Sequence, residues 1–236
     1  MPLNGKSSDF ISTLSVAEDF ASWSGIERLQ STCLGMVLLD METISPVKED
    51  LFTPREAERA MSMGPRRLRG FTAARVALKR LVRQLHLIEK DTPDRAIETL
   101  GPDGVRPCLS ESGICCSVSH CAQLVVAVAH RHPIGVDLEM VSEKVIRTKH
   151  LFMSPGERDL ISLSGLGQER AATRAWTTKE AAAKALGLHL FQAIREVEVV
   201  RLGEEDGMMR YRGKTYPVRH AEGTGHVMTL VTCDGL

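Results

Sequence analysis

The chain predicts an α+β fold in two halves, each holding helices together with several strands. Capped helix starts, strand-length apolar runs and a long helix closed by glycine carry that prediction. Residues 1–32 are Ser-rich and weakly amphipathic, which reads as a short helix with a loose leader. Leu34–Met41 follows as a strand. Thr53-Pro54-Arg55-Glu56 is a helix start, with Thr53 as N-cap, Pro54 in the first helical position and Glu56 closing a capping box. Gly64-Pro65 breaks that helix, and a second runs from Arg66 to about Leu87. Gly101-Pro102-Asp103-Gly104 is a turn, and Ile114–Val118 reads as a short strand. Gln123–His130 is apolar and of strand length, so it reads as a buried strand. His132-Pro133 then turns the chain into a strand around Gly135, predicting a hairpin.

The boundary between the halves is placed there, at 1–133 and 134–236. Ser154-Pro155-Gly156-Glu157 is a second capping box, for a helix through about Leu163. A long helix spans roughly Gln168–Leu186 and stops at Gly187. Ile194–Leu202, Met208–Arg212 and His226–Thr232 read as strands. No repeat in the sequence proves the halves related.

Composition excludes some functions. The 236 residues are 43% hydrophobic and 25% charged, ordinary for a soluble globular protein. Lys+Arg and Asp+Glu are both 30, so bulk charge gives no attraction to nucleic acid or membrane. Charge is uneven locally. Between Ala60 and Ile88 there is no acid, while Arg66, Arg67, Arg69, Arg75, Lys79, Arg80 and Arg83 are basic, an anion-facing candidate. No basic segment followed by an apolar run opens the sequence, and Leu124–Ala129 is too short to span a bilayer. The six cysteines form no C-x-x-C pair and read as reduced cytoplasmic thiols.

Two segments carry the chemistry. In Gly135-Val136-Asp137-Leu138-Glu139, a strand sends Asp137 and Glu139 to one face and Ile134, Val136, Leu138 and Met140 to an apolar one. In the long helix, Trp176, Glu180 and Lys184 fall at i, i+4 and i+8 and form one stripe. Carboxylates on rigid elements beside an ammonium suit Mg2+ and a phosphate-bearing substrate. Each signal has a plainer explanation. Asp137 and Glu139 fit an exposed strand face, Glu180 and Lys184 fit an ion pair of about 0.2–0.5 kcal/mol, and the cap accounts for Glu157. The combination, with Ser117-Val118-Ser119-His120 upstream, is what counts. Cys115-Cys116 with His120-Cys121 invites zinc, but no second cluster matches and a strand splits adjacent cysteines onto opposite faces. A hydrolase serine lacks its G-x-S-x-G elbow.

The ordered set Arg67…Arg75, Ser117-x-Ser119-His120-Cys121, Gly135-x-Asp137-x-Glu139 and Trp176-x-x-Lys179-Glu180-x-x-x-Lys184-Ala185-x-Gly187 resembles the 4′-phosphopantetheinyl transferases. It is similar to the monomeric class that activates siderophore and surfactin synthetases, not to the small trimeric class of fatty-acid synthesis. The resemblance covers roughly Thr53 to Leu202. It implies a pseudo-dimer of two similar α+β halves with the active site in the cleft between them. The implied reaction is Mg2+-dependent transfer of the phosphopantetheine arm of coenzyme A to a serine of an apo acyl or peptidyl carrier protein, releasing adenosine 3′,5′-bisphosphate. Mn2+ is the other candidate metal. By position, Asp137, Glu139 and Glu180 match metal-binding acids, Lys184 the lysine on the reacting phosphates, and Glu157 the proposed general base. Arg67, Arg75, Ser119 and His120 match binders of coenzyme A phosphates.

Two positions depart from the family pattern. Arg106 before Pro107 stands for the usual basic-Pro element, and Cys116 stands where glycine is common. The resemblance implies a cytoplasmic monomer. A Mg2+-dependent phosphodiesterase and a non-catalytic coenzyme A-binding relative are the competing readings.

Overall fold

Continuous apolar runs form the inner strands of two sheets, as expected of strands covered on both faces. The computed structural model describes residues 15–16, 20, 22–44, 50–109 and 113–234. The first sheet holds β1 (Ser15–Val16), β2 (Gly35–Asp40), β3 (Cys115–Cys121) and β4 (Leu124–His130), in the order β1-β2-β4-β3. The second holds β5 (Ile134–Met140), β6 (Val197–Arg201), β7 (Asp206–Tyr211), β8 (Lys214–Gly223) and β9 (His226–Thr232). Its order is β5-β9-β8-β7-β6, with antiparallel neighbours throughout. Among the described residues seven α-helices complete a mixed α+β fold: α1 (Ile26–Thr32), α2 (Pro54–Met61), α3 (Pro65–Gln84), α4 (Glu143–Thr148), α5 (Pro155–Leu163), α6 (Gln168–Leu186) and α7 (Leu190–Glu196).

One long helix covers each sheet. Ala73, Ala77, Leu78 and Leu81 of α3 pack on Val37, Leu39, Val125 and Ala127 of the first sheet. On that sheet's other face, Leu38, Val126 and Val128 share a core with Val136 and Leu138 of β5 and Met228 and Leu230 of β9. Each large side chain so buried contributes about 1.5–3 kcal/mol. Helix α6 lies on β5 and β9. Its approach depends on Gly135, where an added Cβ would fall 1.8 Å from the Ala181 carbonyl oxygen and 2.7 Å from Ala185 N. Alanines on the helix and glycine on the strand therefore set how near Glu180 and Lys184 come to Asp137.

Both capping boxes form as their spacing predicts, Thr53 with Glu56 and Ser154 with Glu157. Gly187 ends α6 in the left-handed region at φ 65°. Three expectations change. No hairpin forms at His132-Pro133: β4 already pairs with β2 and β3, so the chain passes into the other sheet and β5 pairs with β9. Met140, expected in the core, is 47% exposed at the strand's end. The stretch expected as a strand from Ile194 begins as the end of α7, and β6 starts at Val197. Lys179 Nζ donates to the Ile194 and Val197 carbonyls there, satisfying groups at the helix end. Strand β8 had no expectation, because Pro217 interrupts its pattern. The helix expected within residues 1–32 is α1; the leader at 1–14 lies outside the described residues. Among the described residues no helix is long and apolar enough to cross a membrane.

Candidate active site

The edge strands of the two sheets meet, β3 beside β5. Serine side chains stitch this seam. Ser117 Oγ accepts from Val136 N at 3.1 Å, and Ser119 Oγ donates to Asp137 Oδ1 at 2.9 Å. Alternation on β5 sends Asp137 and Glu139 away from the core toward α6. There each of Asp137, Glu139 and Glu180 offers an oxygen, all within 4.8 Å of one another. Lys184, one turn beyond Glu180, donates from Nζ to Asp137 Oδ1 and to the Val136 carbonyl, both at 2.8 Å.

The electrostatics of this group are those of a crowded anion site. Burial first, and then the Asp137 charge, push the Glu180 carboxyl up to about 8, with Lys184 pulling the other way. Glu139 is raised for the same two reasons, opposed by Cys121, Lys184 and Trp176. Asp137 is 2% exposed, and its Oδ2 has no hydrogen-bond partner. An orphaned buried carboxylate oxygen is costly unless something positive meets it. Three clustered carboxylates, one of them with an orphaned oxygen, fit a hard divalent cation.

Two lobes open from these acids. A lobe of 650 Å³ is lined by Arg66, Arg67, Gly70, His120, Asp137 and Glu139, among others, and is rich in cations. A second, of 440 Å³, lies between Arg106, Pro107 and Cys116 on one side and Ala183, Leu188 and Leu190 on the other. Val118, Glu180 and Lys184 line both lobes and form the waist between them. His120 lies against α3 because residue 70 is glycine; a Cβ there would fall 2.5 Å from the imidazole. Burial and then Lys184 lower the His120 pKa, opposed by Asp137. Arg106 donates to the Gly187 carbonyl at 3.1 Å, tying its loop to the end of α6.

Of the site residues expected from sequence, Asp137, Glu139, Glu180, Lys184, Ser119, His120 and Arg67 surround the larger lobe, and Arg106 lines the smaller. Two are placed elsewhere. Arg75, expected on a coenzyme A phosphate, is 3% exposed, donates from Nη1 to the Thr99 carbonyl and hydroxyl, and lies over the Phe71 ring. Glu157, expected as general base, is 4% exposed. Its carboxylate accepts from Ser154 N at 2.7 Å and Val199 N at 2.8 Å, and pairs with Lys179 at 2.8 Å. Every one of these bonds is internal, and Glu157 lines neither lobe. Sequence reasoning missed Gly70, the lobe position of Arg66 and the reason for Gly135, which it read only as part of the Gly135-x-Asp137-x-Glu139 motif. Gly70 gave a signal only as a break in an otherwise regular helix.

Residues 133–231, which hold the three acids, Lys184 and all but the last residue of the second sheet, match the family model described as the 4′-phosphopantetheinyl transferase superfamily. The chain is similar to that superfamily over this stretch. It is 29% identical over 150 residues to enterobactin synthase component D of Salmonella typhi, covering 63% of this chain and 60% of the relative. To the protein of the same name in Escherichia coli K12 it is 26% identical over 121 residues, 50% of this chain and 58% of the relative. The matches thus span about 60% of these relatives' own length.

Proposed function

We propose that this chain transfers the 4′-phosphopantetheine arm of coenzyme A to a serine of an apo acyl or peptidyl carrier protein, releasing adenosine 3′,5′-bisphosphate. The observation that carries the proposal is the cluster of three carboxylates with Lys184 in the cation-rich lobe, where Glu180 and Lys184 also border the second lobe. Coenzyme A suits that arrangement, with its pyrophosphate between parts of different polarity. The match of residues 133–231 to the superfamily model and the similarity to enterobactin synthase component D support the same reading.

Asp137, Glu139 and Glu180 would hold Mg2+, or Mn2+ in its place, which would supply neutralisation of charge on the pyrophosphate. Lys184 adds an ammonium at the same centre, held by Asp137 and the Val136 carbonyl. Arg66 and Arg67 offer forked donors to the remaining phosphate, and His120 offers a ring nitrogen. The carrier hydroxyl attacks the phosphorus next to pantetheine as the bond to the adenosine moiety breaks. Its proton leaves to water in the cleft, since Glu157 is engaged elsewhere.

The division into halves at 133/134 belongs to the same reading, as does their relatedness. Support comes from a repeated device: Glu56 pairs with Lys79 of α3 at 2.7 Å, as Glu157 pairs with Lys179 of α6 at 2.8 Å. In both halves the glutamate closes a capping box and the lysine bonds two backbone carbonyls. We take the protein as a cytoplasmic monomer that meets its carrier without nucleic acid or membrane.

The test is intact-mass spectrometry of apo acyl- and peptidyl-carrier proteins incubated with the chain, coenzyme A and Mg2+. A gain of one phosphopantetheine group, absent without metal and with Glu180→Ala, is expected. Coenzyme A cleavage with no carrier modified would replace the transferase with a phosphodiesterase. Coenzyme A binding without turnover would leave a binding relative.

A further inference from the structure

The two oxygens of Asp137 are treated unequally. Oδ1 accepts from Ser119 Oγ at 2.9 Å and from Lys184 Nζ at 2.8 Å, whereas the buried Oδ2 has no partner. A carboxylate oxygen has two lone-pair sites, so two donors fill Oδ1 and leave Oδ2 to meet a cation. Val136, the residue before, is tied as well. Its N–H donates to Ser117 Oγ at 3.1 Å, and its carbonyl accepts from Lys184 at 2.8 Å. By position Ser119 matches a binder of coenzyme A phosphates, and it lines the larger lobe. Its hydroxyl, however, has a single hydrogen. Asp137 Oδ1 and a phosphate oxygen are both acceptors, so that hydrogen serves one or the other. Turning it to a phosphate would leave two oxygens facing each other at 2.9 Å with no hydrogen between them. Ser119 is 8% exposed and Asp137 2%, so water cannot relieve such a contact. Phosphates in the lobe have other donors in Arg66, Arg67 and His120.

We propose that Ser119 is a positioning residue that acts through Asp137: its hydroxyl holds Oδ1, turns Oδ2 toward the cation, and makes no bond to a coenzyme A phosphate. The proposal rests on reading Asp137, Glu139 and Glu180 as a cation site. Lys184 does not duplicate this role. Its side chain is 33% exposed, and in the transfer its ammonium also serves the reacting phosphates. Ser119 is the buried donor that stays on Oδ1 when Lys184 turns to the substrate. Groups that orient a metal ligand in this way typically change metal affinity about 10–100-fold.

The test measures two affinities of the full chain: Mn2+ by electron paramagnetic resonance without coenzyme A, and adenosine 3′,5′-bisphosphate by calorimetry without metal. Ser119→Ala and Ser119→Thr are compared with the parent, all checked for folding by circular dichroism. Ser119→Ala is expected to bind Mn2+ about 10–100-fold more weakly while binding the bisphosphate as the parent does. Ser119→Thr keeps the hydroxyl and is expected to recover most of the Mn2+ affinity. A Ser119→Ala variant with parental Mn2+ affinity, or with an equal loss of bisphosphate affinity, would overturn the proposal. Mn2+ binding to the parent would then show the carboxylate centre still standing. A parent that binds no Mn2+ would overturn the cation site and the proposal with it.

Discussion

Lys179 holds Glu157, Nζ to Oε1 at 2.8 Å, on a different stripe of α6 from the one that carries Glu180 and Lys184 into the cleft. The pair is almost fully buried, 1% and 4% exposed. Breaking such a pair on one side costs about 3–5 kcal/mol, because the other charge is left unpaired. Glu157→Gln and Glu56→Gln are therefore expected to lower stability alike, seen as matching losses in denaturant midpoint. The double variant Glu157→Gln/Lys179→Met removes both charges and is expected to recover much of the loss. Its transfer rate separates brace from base. A general base contributes about 10²–10⁴-fold; a loss of that size in the folded double variant would return Glu157 to the chemistry.

Arg67 and Arg75 are expected to part company on substitution. Arg67→Ala should raise the KM for coenzyme A several-fold with little change in the melting temperature. Arg75→Ala should instead remove one buried donor from the Thr99 carbonyl and hydroxyl, which keep their bonds with Cys108 N and Glu56. A loss of about 1–3 kcal/mol in stability is the outcome to look for in thermal denaturation. A raised KM with unchanged stability for Arg75→Ala would reverse the assignment.

The Glu180 carboxyl ties stability to pH in the metal-free protein. Its pKa is raised from 4.5 to about 8 on folding, so between those values the native state binds more protons than the unfolded state. Stability then falls as pH rises through that window. Glu180→Gln is expected to flatten the fall, and saturating Mg2+ to reverse it, because the cation binds the ionised form. Melting curves across that pH range, with and without metal, test the sign; a stability that rises with pH because of Glu180 would refute it.

Gly135→Ala is the most severe single methyl addition expected at the centre. Its Cβ would lie 1.8 Å from a backbone oxygen of α6, so no side-chain rotation relieves it. Overpacking of this kind costs about 1–3 kcal/mol or more. The variant is expected to be destabilised and, where it folds, to bind Mn2+ more weakly, because α6 is pushed off β5.

Local periodicity made part of this legible. Strand alternation placed Asp137 with Glu139, a helical stripe placed Glu180 with Lys184, and cap chemistry placed both short helices. What failed depended on partners far along the chain. Eight residues of helix leave Arg67 and Arg75 within roughly 80° of each other, which suggested a shared face. That rotation is enough to put Arg67 on the lobe and Arg75 in the interior, against Thr99. Similarly, nothing near Pro133 says that both edges of β4 are already taken, and nothing near Glu157 announces Lys179 or Val199. The glycines at 70 and 135 matter for what they leave out, and a missing methyl has no signature until its neighbour across the gap is known.

The waist of the cleft has a practical consequence for inhibitor chemistry. Since the two lobes share only Val118, Glu180 and Lys184 among the residues that line them, each amounts to its own small receptor. Two weak fragments, an anionic one for the arginine side and a hydrophobic one for the Leu188–Leu190 side, would bind without competing. Joined by a linker that bridges Lys184, they would gain the effective concentration of a tethered pair, about millimolar for a short flexible tether.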